Sequence, residues 1–293
     1  MEKKFKNGIY ALIFVAGLSL LLYPFIADKW NDYRQQKLII SYEQVLEEQT
    51  SAGTIDYQTE WEKAKKYNDE DLPAILPDAF AVRAFAEEPD PNYIGCLNIA
   101  GDGLMGVVEI PKIGVKLPIY HTASEEVLMK AAGHLEGNSL PVGGESTHTV
   151  ITAHRGLPNS AMFTDLDKVE EGDHILIHVL DDTLCYEVDM ITVAEPTDLT
   201  ALRIEDGKDY ASLFTCTPYG VNSHRLMVRG HRVEYVEEAI EEEIATVGTI
   251  VSTHTSYFLW VIVGLSATAI FVSILFWREK KIRERIANKK QEE

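Results

Sequence analysis

Three side chains suited to acyl transfer stand where extended runs of this chain end. Cys216 lies in Leu213-Phe214-Thr215-Cys216-Thr217-Pro218-Tyr219, where an apolar, β-rich run stops at a Pro-Tyr-Gly turn. Arg225 opens the next such run, Arg225-Leu226-Met227-Val228-Arg229-Gly230. Strand, turn, strand therefore puts a thiol and a guanidinium at the same end of two neighbouring strands. Upstream, Thr149-Val150-Ile151-Thr152-Ala153 is another short β-type run, and it leads into His154-Arg155-Gly156. An imidazole thus joins the thiol and the guanidinium at strand ends.

The chemistry explains why these three types belong together. A free thiol is only slightly ionised near neutrality, so a nucleophilic Cys needs a base or a cationic neighbour. His154 supplies the base and can then protonate a leaving amine. The tetrahedral intermediate carries an oxyanion, which a permanently charged, forked donor such as Arg225 stabilises. The plain alternative is a buried strand cysteine, which free Cys often is. Cys96 and Cys185 fit that alternative, since both sit in strand-like patterns and read as packing residues. Nothing demands a bridge between them, and an odd count of three Cys leaves at least one thiol unpaired.

The elements that must carry these residues are mostly short strands. Runs at 106–110, 115–120, 149–153, 174–180, 183–193, 210–215 and 225–235 are separated by turn residues, which argues for a barrel or sandwich between about 93 and 236. Ahead of them, 28–92 reads as a helical extension. Leu38, Tyr42, Val45 and Leu46 recur at helical steps, and 57–67 forms a second charged helix carrying Trp61. A further short helix is expected at 125–132, with Glu125 and Glu126 in its first turn, where the helix dipole favours acids. Residues 237–256 form an acidic, helix-prone linker.

Two apolar stretches flank this region. Residues 8–27 and 257–277 carry no charge, and at ~1.5 Å per residue each is long enough for a hydrocarbon core of ~30 Å. Lys3, Lys4 and Lys6 precede the first, within a seven-residue N-terminus at 1–7. Arg278, Lys280, Lys281, Arg283 and Arg285 follow the second, in a basic tail at 278–293. Two transmembrane helices with both ends in the cytoplasm are expected, and the intervening part faces outward. A retained anchor is favoured over a cleaved signal peptide because 24–30 offers no clean cleavage site. The chain carries a formal net charge of −19, and with the basic ends set aside the remainder is more acidic still. Such a surface repels nucleic-acid phosphates.

Other clusters read as structural. His174 and His178 would lie ~13 Å apart on one face of a strand, too far to share a metal, and read as surface histidines. Asp165 and Asp167 suit helix capping. No metal or cofactor is assigned.

Taken together, the phrases Glu109-Ile110-Pro111-Lys112-Ile113, Gly133-His134-Leu135-Glu136-Gly137, His154-Arg155-Gly156-Leu157-Pro158, Leu166-Asp167-Lys168 and Thr215-Cys216-Thr217-Pro218-Tyr219-Gly220 resemble the sortases, and among them the class C, pilin-polymerising branch. The resemblance covers about half the chain, from 93 to 236. It implies a mainly β fold: a closed eight-stranded β-barrel with short helices. It also implies a catalytic Cys216, His154 and Arg225, with Thr215 in support or substrate binding. The implied reaction cleaves an LPxTG-like sorting signal between Thr and Gly through a Cys thioester and passes the acyl group to a pilin lysine. The implied partners are pilin subunits and the membrane, with the catalytic domain outside a Gram-positive-type cell. A lid is implied as well, an Asp-Pro-aromatic loop ahead of the barrel. Asp78 and Phe80 in Leu76-Pro77-Asp78-Ala79-Phe80 are the favoured candidates, with Ala79 where Pro is usual, and Asp90 and Tyr93 are the rival. A housekeeping sortase that attaches proteins to the cell wall, or a non-catalytic surface scaffold anchored at both ends, is the alternative. A papain-like protease fits less well, because that family places Cys before His.

Overall fold

The computed structural model of the protein describes residues 2–72, 89–198, 200–247 and shorter runs between 261 and 281. Contacts divide the chain into two compact units, Met1–Leu22 with Val251–Glu293, and Tyr23–Ile250. Cys216, His154 and Arg225 all belong to the second.

Eight strands close into a barrel in the order β1-β2-β3-β4-β7-β8-β6-β5. They are β1 (Leu104–Ile110), β2 (Val115–His121), β3 (Ala132–His134), β4 (Thr147–Thr152), β5 (His174–Val179), β6 (Asp182–Ala194), β7 (Asp209–Thr217) and β8 (His224–Val233). Seven of these are the runs read from alternation in the sequence. The eighth, β3, is only three residues long and lies where a helix was expected to end. That helix spans only Glu125–Leu128, because the chain must turn at 129–131 to bring Gly133 into the barrel wall. There a Cβ on Gly133 would lie 2.3 Å from the Thr122 carbonyl oxygen, so β3 needs a glycine to pack beside β2. Most neighbours are antiparallel, while β2/β3 and β4/β7 are parallel.

The barrel interior is filled by inward residues such as Val108, Ile119, Ile151, Ile177, Leu213 and Val228, all essentially inaccessible. A long helix, α1 (Glu2–Ala52), presents Gln35, Ile39, Tyr42 and Leu46 at helical spacing as a buried stripe. Tyr42 and Leu46 pack on Leu104, Tyr120, Val127 and Ala131, and the Tyr42 hydroxyl donates to the Met105 carbonyl at 3.2 Å. The next helix, α2 (Tyr57–Lys66), starts at Asp56, whose carboxylate accepts from the Gln58 and Thr59 amides. Residues of α1 and α2 thus pack on the barrel wall.

Two expectations change here. Among the described residues no helix is long and apolar enough to cross a membrane, so the structure does not support two transmembrane helices. The apolar stretch 8–27 is not a helix of its own but the start of α1, which continues into charged sequence. The stretch 257–277 lies in part outside the described residues. The expected linker at 237–256 begins as a docked helix, Glu237–Val247. Ile240 of this helix is buried against Leu176 and Cys185. Its Glu243 accepts from the Lys112 and His174 amides and lies 2.7 Å from His174 Nδ1.

Candidate active site

Register alone brings the three expected residues together. The parallel pairing of β4 with β7 runs from Thr147 opposite Asp209 to Thr152 opposite Phe214. Two residues further along both chains come His154 and Cys216. On the other side of β7, Cys216 is the direct antiparallel partner of Arg225. Imidazole, thiol and guanidinium therefore form one row across β4, β7 and β8.

The row faces outward. Side chains alternate along a strand, and the residues between these positions, Ile151, Ala153, Leu213, Leu226 and Val228, fill the barrel interior. On the row's own face, Val150, Phe214 and Met227 pack with Leu135 and Leu202 in a smaller cluster. The site is a ledge on the outer barrel wall above an apolar floor. Cys216 is a free, partly buried thiol. The other two thiols are fully buried, and burial pushes Cys185 up to about 11, so only Cys216 is open to a substrate.

Each member is held by backbone rather than by another member. The Thr215 hydroxyl donates to the Ala153 carbonyl at 2.8 Å, and the Thr152 hydroxyl donates to the Phe214 carbonyl at 3.0 Å. These two bonds lace the ends of β4 and β7 together just before His154 and Cys216. Thr215 is buried and points away from the ledge. Arg225 Nη1 donates to the carbonyls of Asn222 and His224 at 3.3 and 3.1 Å, so the turn it closes aims its fork. His154 Nε2 has no hydrogen-bond partner among the described residues, and the Glu125 carboxylate lies 3.7 Å from it.

The sequence reading missed the clamp that fixes this row. The buried Arg155 guanidinium donates through Nη1 to Thr217 Oγ1 at 3.1 Å and pairs through Nη2 with Asp167 at 2.5 Å. Arg155 follows the histidine and Thr217 follows the cysteine, so one side chain ties the two strand ends. Asp167, expected as a capping residue, is the counter-ion of this clamp. Asp165 makes no capping bond and pairs with Lys168 at 3.0 Å. Gly156, at φ +79°, lets the loop pass within contact of the Tyr219 ring, where a Cβ would sit at 3.2 Å. His174 and His178 are also more than surface residues. His174 pairs with Glu243, and His178 reaches Glu109 at 3.1 Å and Thr183 at 2.9 Å.

The two lid candidates separate. Asp90 caps the short helix Pro91–Gly95 by accepting from the Asn92 amide. Tyr93 is wholly buried, with its hydroxyl 2.9 Å from His134 Nδ1 and accepting from the Thr122 amide at 3.0 Å. A ring so fixed cannot swing over Cys216, which removes the rival loop. Asp78 and Phe80 lie outside the described residues.

Known proteins resemble this chain in sequence and fold. A sortase domain is matched over residues 108–233. The structure of sortase C1 from Streptococcus agalactiae is 42% identical, with a TM-score of 0.59, and the match covers 68% of this chain and 100% of that one. Sortase C from Streptococcus pneumoniae is 41% identical, with a TM-score of 0.56, over 68% of this chain and 97% of that one. A lid mutant of sortase A from Corynebacterium diphtheriae is 39% identical, with a TM-score of 0.56, over 62% and 95% of the two chains. The eight-stranded barrel, the outward row of Cys, His and Arg, and the extent of these matches agree: the chain belongs to the sortase family, in its class C branch, and is a cysteine transpeptidase.

Proposed function

We propose that this transpeptidase polymerises pilin. Cys216 attacks the Thr carbonyl of an LPxTG-like sorting signal, His154 protonates the departing Gly amine as the C–N bond breaks, and an acyl thioester remains on Sγ. The amine of a pilin lysine then gives up a proton to His154 and attacks the thioester carbonyl. The C–S bond breaks, and an isopeptide bond joins two subunits. Arg225 holds the oxyanion in both steps. The observation that carries this reading is the outward row of His154, Cys216 and Arg225, in which Cys216 is the one thiol not fully buried. The pilin substrate named for the Streptococcus pneumoniae relative supports the acceptor.

The apolar stretches 8–27 and 257–277, with basic residues beyond each, support attachment to the cell membrane with the barrel outside. On this reading Asp78 and Phe80 are the lid residues of the site, as the resemblance implies. The relative that carries a lid supports this assignment, as does the removal of Asp90 and Tyr93 from contention.

Incubating the protein with a sorting-signal peptide and a lysine-bearing pilin tests the reading by mass spectrometry. An acyl adduct on Cys216 that is chased into a pilin dimer is expected, with none in Cys216→Ala. Replacing Asp78 and Phe80 by Ala should speed adduct formation, because substrate binds only the open fraction of a lidded enzyme. An adduct that only water or a cell-wall amine resolves would overturn pilin polymerisation.

A further inference from the structure

The acceptor of a transpeptidation arrives as a cation. A lysine amine is almost wholly protonated near neutrality, yet it must lose that proton to attack the thioester. The acceptor site therefore needs a negative charge to hold the ammonium and a base within reach to deprotonate it. One side chain on the ledge meets the first need beside the residue that meets the second. Glu125 Oε2 lies 3.7 Å from His154 Nε2, the same nitrogen that has no hydrogen-bond partner among the described residues.

The two neighbouring acids of that segment are not equivalent. Glu126 is turned to Lys130, 3.6 Å away. Glu125 has its side chain 78% exposed, and its only ion-pair neighbour among the described residues is His154. Its position is fixed by Ser124, whose hydroxyl accepts from the Val127 amide and starts the short helix Glu125–Leu128. It is fixed also by Val127, buried against the α1 stripe. The carboxylate is thus free in solvent on one side and directed at the base on the other.

We propose that Glu125 is the anchor for the acceptor ammonium, a role that rests on the proposed transfer to an amine. The carboxylate draws in the lysine cation, His154 Nε2 takes one proton from it, and the neutral nitrogen attacks the acyl thioester. The C–S bond then breaks, Cys216 leaves as thiolate, and the second proton of the attacking nitrogen passes to that sulfur, which leaves a neutral amide and a thiol. Water, being uncharged, gains nothing from Glu125, so the residue favours transfer over hydrolysis. The strongly acidic chain, net −19, adds a long-range pull of the same sign.

The test separates cationic from neutral acceptors. With preformed acyl-enzyme, Glu125→Gln should raise the concentration of a lysine peptide needed for half-maximal transfer by about 3- to 5-fold, the scale of one exposed ion pair. Glu125→Lys should raise it by about 10-fold. Hydroxylamine, uncharged near neutrality, should resolve the thioester of the wild type and both variants at similar rates. The lysine effect should shrink in 1 M salt, where the Debye length is ~3 Å. Glu126→Gln serves as the control and should match the wild type. A loss that is equal for lysine and hydroxylamine, or that appears as a shifted pH profile of acylation, would show that Glu125 acts on His154 instead and would overturn the inference. Failure to form any acyl-enzyme in the wild type would overturn the proposed function itself.

Discussion

The same three strands carry two His and Arg sets on one face, and the sets differ in how fully they are satisfied. Further down β4, β7 and β8 from the ledge, His148, Tyr210, Ser212 and Arg229 face outward like His154, Cys216 and Arg225. His148 is wholly buried, with Nδ1 2.9 Å from the Arg203 carbonyl and Nε2 2.8 Å from the Ser212 hydroxyl. Arg229 forks onto Asp189 at 3.0 and 3.1 Å, reaches Glu205 at 3.2 Å, and stacks 4.0 Å from the Tyr210 ring. Both His148 nitrogens and all three Arg229 nitrogens in that lower set are bonded, so it holds the wall together. Among the described residues, His154 Nε2 has no hydrogen-bond partner at the ledge and Arg225 donates only to carbonyls of its own turn. Residue types are shared between the two sets, and unused bonding capacity separates chemistry from structure.

That contrast is broken most directly by the arginines. Arg225→Lys should lose at least about 100-fold in acylation rate, the scale of a lost oxyanion contact, and His154→Ala should lose as much. Arg229→Lys should leave turnover within about 3-fold while lowering stability by about 1 kcal/mol, because the partly exposed Asp189 loses its forked donor. A lysine variant at 225 that turns over at wild-type rate, measured by peptide cleavage, would move Arg225 into the structural set.

The clamp lies between these extremes, since Arg155 touches neither substrate nor thiol. Arg155→Met should slow acylation by about 10-fold through misplacement of His154 relative to Cys216. Asp167→Asn should have a smaller effect, because Arg155 keeps its bond to Thr217. If Arg155→Met unfolds at a lower temperature but acylates at full rate, the clamp serves the fold alone.

The smallest effect sharpens the lower set. Burial holds His148 and His134 down to about 4 in the folded protein, against an ordinary value near ~6.5 when unfolded. The unfolded chain therefore takes up protons first as pH falls. The stability these residues carry is complete above pH ~6.5 and is lost between ~6.5 and ~4, at about 1.4 kcal/mol per pH unit for each. His148→Gln should flatten that part of the stability profile by one such increment. An unchanged slope in chemical denaturation across this range would show that His148 is not held neutral.

How much of this could be read beforehand follows from the range of each signal. Strand alternation is local, so seven strands and the three ledge residues were visible in their own neighbourhoods. The strand Ala132–His134 was not, because three residues do not complete a period and its pairing partners, not its composition, make it a strand. The Arg155 clamp was invisible for a related reason. Its partners Asp167 and Thr217 lie on other segments, and an arginine after a histidine looks the same whether it is solvated or buried. Glu125 was read correctly as a first-turn acid, but its distance to His154 depends on how the barrel closes.

The uniform register between β4 and β7 has a consequence for what this chain can tolerate. Everything from the loop after Gly156 through the hairpin of β5 and β6 to the turn before Asp209 lies between the two strands, and its length does not enter the alignment of His154 with Cys216. Insertions or deletions in its loops leave the row intact as long as Asp167 still reaches Arg155, β5 still pairs with β1 and β6 with β8. One residue added inside β4 or β7 would turn either the imidazole or the thiol into the barrel interior. Variation among active relatives should therefore gather between the strands and be nearly absent within them, and that same span offers the place to graft new substrate contacts without disturbing the chemistry.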